Sequence, residues 1–431
     1  MENNLDGYID FSGGVNQAVN SDKVGDNQLI GAVNCSLVNG LRTRLKFHEV
    51  NLSVDTEGNR TTRENFSQSY SDVFAQGKFQ GAWEYENSPT PAMIAVISGL
   101  IFKVDLISCS VVLLSTEIQL DEFQDSFNGT QGSDFFYIHA FPERTVIIDL
   151  DDTVRFADPD NTITISGNEV VAPEVPRSVV GHFDDFRLVI GRDWNEYLFS
   201  DPDVSDFDLG ESTFSEVFQP SASRFGQRFS IPSSGATLPI TFFGSLLVPD
   251  TSTGIGGLVV SNRRRIIAVN SNAIPTEDIT PNFSTVLVRD HGIVGAKAGV
   301  NVGYDFWYIS TENQIRSLNT SRNQQGQSSN PSLSEEVKEY LETRQDLMYL
   351  ANAEYSRSAA YFHCNPFRVK AKDSRGRDVA DFAFKGLLVL QTNVLSSMNG
   401  ASPPAWAGIW QQHLLGFRAV SYTHLTLPTK A

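Results

Sequence analysis

Gly303–Leu318 reads GYDFWYISTENQIRSL. Phe306, Trp307, Tyr308 and Ile309 have the length and aromatic content of a strand. Thr311, Glu312 and Asn313 make a polar turn, and Ile315 and Leu318 mark a second strand. Two short apolar runs around a polar connection are the signature of a β-hairpin. The pattern recurs with different residues: IAVISGLIFKV from Ile94, TVIIDLDDTVRF from Thr145, RLVIGRDWNEYLF from Arg187 and GLVVSNRRRIIAV from Gly257. A sixth unit, AAYFH from Ala359 and KGLLVLQ from Lys385, carries a longer polar excursion between its halves. Hairpins recurring every forty to fifty or so residues predict a β-propeller, in which each blade buries its faces against its neighbours. Ile240–Pro249, ITFFGSLLVP, supplies another strand or two, so six or seven blades are expected. A β-sandwich, or two β domains, is the plainer alternative.

The 431 residues suffice for one large radial fold, and 40% hydrophobic content with 29 Phe supplies a core. No apolar run is long enough to span a bilayer, and MENNLDGYIDF has neither the basic nor the apolar part of a signal peptide. Three widely spaced cysteines, Cys35, Cys109 and Cys364, form no CxxC and no disulfide framework, which fits a reducing cytosol. The net charge of −18 opposes a protein that grips nucleic acid. The one basic cluster, Arg263-Arg264-Arg265, reads as a solvated hairpin turn.

Ahead of the repeats, Asp6–Arg44 has its own signals. Ser12-Gly13-Gly14 is a turn. Asp26–Asn34 puts Leu29, Ile30 and Val33 on one helical face. Asn39-Gly40 turns into Leu41-Arg42-Thr43-Arg44. The domain reading is an arm over 1–52, a polar linker over 53–72 and a propeller body over 73–419. Tyr8, Ile9, Phe11, Leu29, Ile30 and Val33 are too few for an independent core, so the arm needs another surface. A neighbouring subunit is the expected surface, and the chain's own propeller the alternative. Ser332–Arg344 reads as a helix with a Ser332/Glu335 capping box and a Val337, Tyr340, Leu341 stripe. Trp406, Ile409 and Trp410 follow the breaker Pro403-Pro404 as an aromatic cluster.

The order FSGGVN, DNQLIGAVNCSLVNG, LRTR resembles the opening of propeller-bodied virion proteins of short-tailed phages: tail nozzles and head–tail stabilisation or hub proteins. Phe183–Ile190, FDDFRLVI, and Tyr197–Asp201, YLFSD, resemble the same group in pattern, as do Gly257–Val260 and Ile315–Leu318. The resemblance implies a non-enzymatic virion protein, forming a homo-oligomeric ring around DNA it does not bind specifically, and contacting portal, adaptor or other tail proteins. It brings no catalytic residue. Val420–Thr429, VSYTHLTLPT, resembles a translated sequencing adapter, so 420–431 is expected to lie outside the natural protein.

No catalytic, cofactor-binding or metal-binding residue is named. The histidines form no HxH or HExxH, and there is no GxSxG, P-loop or GxGxxG. Two acidic groups are the nearest to a site: Asp149, Asp151 and Asp152 with Asp158, Asp160 and Asn161, and Asp201, Asp203, Asp206, Asp208 and Glu211. Both lack the glycine and terminal glutamate of a calcium loop and read as solvated turn acids. A propeller glycoside hydrolase, and a glycan- or protein-binding propeller, are the rival functions.

Overall fold

The structure is a computed structural model. It describes residues 14–17, 29–37, 42–43, 51–54, 69–157, 162–165, 168–171, 177–192, 195–202, 214, 216–218, 220–221, 224–225, 227–231, 238–247, 257–270, 284–323, 332–341, 345–356, 358–392 and 406–414. The proposed adapter tail, Pro403-Pro404 and the acids at 158, 160, 203, 206, 208 and 211 lie outside the described residues.

Six antiparallel sheets follow one another as the blades of a β-propeller. The strand nearest the axis comes first in every blade: Phe79–Tyr85, Asn128–Gln131, Val180–Asp184, Ile240–Ser245, Gly299–Val302 and Ala353–Ser356. These inner strands contact one another in sequence from the first blade to the sixth. Blade five has three strands, with the helix Leu318–Asn323 after the third. Ile240–Ser245 is thus the inner strand of blade four, which settles the count at six.

The blades stack because their middle strands are apolar on both faces. Alternate residues of a strand point to opposite sides of the sheet. In blade three, Leu188 and Ile190 enter the core shared with blade two, and Val189 enters the core shared with blade four. In blade four, Leu258 and Val260 face blade three, and Val259 joins the core that reaches blades five and six. Phe306, Trp307, Tyr308 and Ile309 all lie in that last core, and the Trp307 indole N–H donates to Asp305 at 3.0 Å.

The first and last blades must be joined without a chain connection between them. Two devices do this. The middle strands of blade six, Ala359–Lys372 and Asp378–Gln391, are each 14 residues long. Their tip reaches blade one: Ser98 donates to the Lys372 carbonyl at 2.8 Å, Phe79 N–H donates to Asp381 at 3.1 Å, and Ser374 Oγ donates to Glu122 at 2.6 Å. The second device is the segment before the blades. Val33 bridges Ile409 in parallel on the outer edge of blade six, Asn34 N–H donates to the Ile409 carbonyl, and Trp410 Nε1 donates to the Cys35 carbonyl at 2.6 Å. Further on, Ser53–Val54 pairs in parallel with Ser110 and Val111 on the outer edge of blade one.

Four expectations change. Leu29 and Val33 form single strand bridges instead of a helical face: Leu29 pairs with Val15, and Val33 with Ile409, where unpaired backbone at the edge of the last blade competes for this stretch. The described parts of the arm pack on the chain's own propeller rather than reaching past it: Val15, Ala32 and Leu37 are buried in cores that include blade six. Within 332–344, Glu335–Tyr340 is a 3-10 segment broken at Val337, and no capping box forms there. Ser334 accepts the Ile315 N–H at 3.0 Å instead, so tertiary contact displaces the local cap. A capping box does form at Ser69 and Asp72, opening the helix Tyr70–Gln76. Both ends of the expected 53–72 linker are therefore structured, and Tyr70 and Val73 pack against blade one.

Candidate functional site

In a four-stranded meander the first and third turns emerge at one end and the second at the other. At the end carrying the first and third turns, the inner strands surround a funnel of about 360 Å³ on the propeller axis. All six inner strands contribute to its wall.

The wall is wired from blade to blade by side chains. Gln131 accepts the Glu86 N–H at 3.0 Å and donates to Asn87 at 2.8 Å, tying blade two to blade one. Asn128 accepts the Gly181 N–H at 3.0 Å, tying blade two to blade three. Ser245 donates to Asp184 at 2.9 Å, and Asn301 donates to the Ser245 carbonyl at 2.7 Å, carrying the chain of contacts through blades three, four and five. Glu84, Glu86 and Glu354 give the wall an acidic character. Lys297 is its counter-charge, with its ammonium 4.7 Å from the centre of the Trp83 ring. The strands approach closely only because of glycine: a Cβ on Gly129 would stand 2.5 Å from the Trp83 ring.

His182, Ser245 and Asp184 bring together the three side-chain types of a hydrolytic triad. Their hydrogen bonds run the wrong way for one. The single Ser245 proton goes to Asp184, so at 2.7 Å His182 Nε2 must donate to Ser245. A serine nucleophile needs its proton taken by the histidine. Burial lowers the His182 pKa, and Asp184 opposes that shift.

His139 lies behind this wall, fully buried, with Nδ1 2.6 Å from Ser178 Oγ and Nε2 3.1 Å from Thr130 Oγ1. Burial pushes its pKa down to about 3 from the ordinary 6.5. The unfolded chain takes up this proton as pH falls through 6.5, and the folded chain only near 3. The stabilisation from neutral His139 is therefore complete above 6.5 and lost progressively toward 3. The melting temperature of His139→Gln is expected to fall less steeply than that of the parent between those limits. Identical slopes would remove His139 from the acid response.

The described members of the acidic groups noted in the sequence, Asp149, Asp151, Asp152 and Asp201, each serve a local contact. Asp149 accepts the N–H groups of Asp151 and Thr153 and shapes its own turn, and Asp152 pairs with Lys103 at 2.6 Å. Asp201 donates its backbone N–H to the Val217 carbonyl. Among the described residues no three His, Cys, Asp or Glu side chains gather as metal ligands. No described helix is long and apolar enough to cross a membrane. Of the funnel strands, Ile240–Ser245 is legible in the sequence, whereas NGTQ, GVNV and AEYS carry no strand-like apolar run.

No family model matches the chain, and no curated protein matches it. Among solved structures, the chain is similar to the extracellular domain of a putative hybrid two-component system from B. thetaiotaomicron, at 9% identity and TM-score 0.41, over 73% of this chain and 38% of that one. It is similar to PorZ, a surface component of the type-IX secretion system of Porphyromonas gingivalis, at 9% identity and TM-score 0.34, over 80% and 39%. A chain of a mitotic checkpoint complex matches at 10% identity and TM-score 0.35, over 85% and 99%. The chain thus spans about two fifths of the length of the first two.

Proposed function

We propose that this protein is a structural, non-enzymatic component of a double-stranded DNA phage tail, either the nozzle or the adaptor between portal and tail. It is assembled in the host cytoplasm and built into the virion. Copies form a ring around the DNA channel and serve genome retention and ejection. The observation that carries the reading is that the opening segment resembling such proteins, in its described parts, packs on the outer edge of blade six, just ahead of the Ser53–Val54 strand that pairs with blade one. A propeller fastened twice at its only chain-free seam suits a part that bears load. The acidic net charge of −18 suits a surface past which DNA slides without sticking. The hydrogen bonding of Ser245 speaks against its use as a serine nucleophile. Peptides of this chain are expected, at a fixed ratio to portal peptides, in density-purified short-tailed particles whose genome encodes it. Their absence from such particles would end this reading.

The funnel favours a second reading, a propeller that binds a glycan or a protein on its axis. It has the concave shape and converging polar groups of a binding site. A protein found outside the particles, with a soluble ligand competed by substitution of Glu354, would favour that reading.

A further inference from the structure

We propose that the funnel-mouth face is a docking surface for a protein segment that is both basic and apolar. The turns at this end hold large apolar side chains out in solvent. Phe186, Leu247 and Tyr304 occupy the first turns of blades three, four and five and are 68%, 67% and 88% exposed. Ile107 and Leu150, exposed on the third turns of blades one and two, continue the set. Three tips on successive blades at one end of the propeller form a rim, not a scatter of isolated residues.

The rim is held in place. The Asp184–Ser245–Asn301 hydrogen bonds link the strand ends from which the three tips project, and Leu247 N–H reaches Asn301 at 3.4 Å. Phe186 is also held against its own preference. Asp185 and Phe186 sit at φ 51° and 60°, the tight hairpin geometry whose second position glycine fills without steric conflict. A bulky aromatic kept there, and kept in water, points to a contact outside the fold. Aromatic side chains on a rigid mount are the usual anchors of protein interfaces.

Charge selects the partner. The described residues of the first turns of blades one to five and of the third turns of blades one and two include Glu86, Asp134, Asp149, Asp151, Asp152 and Asp185 and no lysine or arginine; the nearby bases are Lys103, paired with Asp152, Arg155 over the Phe135 ring, and Arg224 in the long third connection of blade three. The funnel adds Glu84 and Glu354 against the single charge of Lys297. Such a face repels nucleic acid and attracts a positively charged protein segment whose apolar side chains meet the rim. The inference does not depend on the tail reading.

The probe is a fluorescein-labelled octapeptide of alternating lysine and leucine, with a glutamate–leucine counterpart, followed by anisotropy against the full chain. The lysine peptide is expected to bind, less tightly as salt rises, and the glutamate peptide at least about tenfold more weakly. Phe186→Ser combined with Tyr304→Ser should weaken binding of the lysine peptide by about tenfold at an unchanged melting temperature. Phe123→Ser, exposed at the opposite end, should not. The proposal is overturned if the lysine peptide does not bind, if both peptides bind alike, or if the double variant binds like the parent. It is overturned too if the unliganded protein self-associates in light scattering and the double variant abolishes this, since the face would then belong to a second copy.

Discussion

Removing residues 1–50 is expected to lower the melting temperature of the monomer by many degrees. The segment buries Val15 and Leu37 almost completely, and full burial of such side chains is worth about 3–6 kcal/mol for the two together. It also supplies the backbone bonds from Val15 N–H to the Trp406 carbonyl and from Ile409 N–H to the Ala32 carbonyl. Without it, the Trp406–Leu414 strand becomes an open edge, which invites pairing with other chains. The truncated protein should therefore both melt earlier and aggregate on standing. Light scattering adds the second arm of the test. An arm that instead bridged subunits would leave the melting temperature intact and abolish the ring, because a closed ring repeats one contact around its axis. Unchanged melting with loss of assembly would overturn the clasp and restore the docking arm.

Trp406→Ala is expected to cost about 3–5 kcal/mol, the usual penalty for emptying a buried tryptophan site. Trp406 is fully buried, packs 6.0 Å from the Phe362 ring, and donates its indole N–H to the Leu333 carbonyl at 2.8 Å. It joins three parts of the chain: the outer strand of blade six, the 3-10 region after blade five, and Val15. Trp406→Phe retains most of the volume and loses the hydrogen bond, so a cost of about 1–3 kcal/mol is expected from the unsatisfied Leu333 carbonyl. Chemical denaturation of the two variants separates the terms. Equal losses would mean that the hydrogen bond, not the packing, holds the seam. No loss in either would contradict the burial of Trp406.

Both effects fall at the seam between the ends of the ring, where the sequence said least. The middle hairpins were legible because their strands are buried on both faces and read as apolar runs around short polar turns. Even there the sequence misplaced one unit. Thr145–Phe156 joins the third and fourth strands of blade two, whereas the other units join second and third strands. The true middle hairpin pairs Phe136–His139 with Val146–Ile148. Its first strand, FYIH, is as apolar as the rest, but the turn that follows it, ending in Thr145, hides the pairing from a local pattern.

By itself, then, the sequence determined the class of fold: two-sided apolar strands at propeller spacing can be satisfied only by neighbours on both sides. It also determined the net charge of −18. The position of the inner strands on the axis, the funnel and the clasp were decided by tertiary structure. Asn128, Gln131 and Asn301 look like loop residues in sequence, and the role of Ser245 is hidden there, because their partners lie one blade away, between 44 and 61 residues distant in the wall contacts. Val33 and Ile409 pair across almost the whole chain. No local pattern records such a contact, because its stabilisation exists only after the ring has closed.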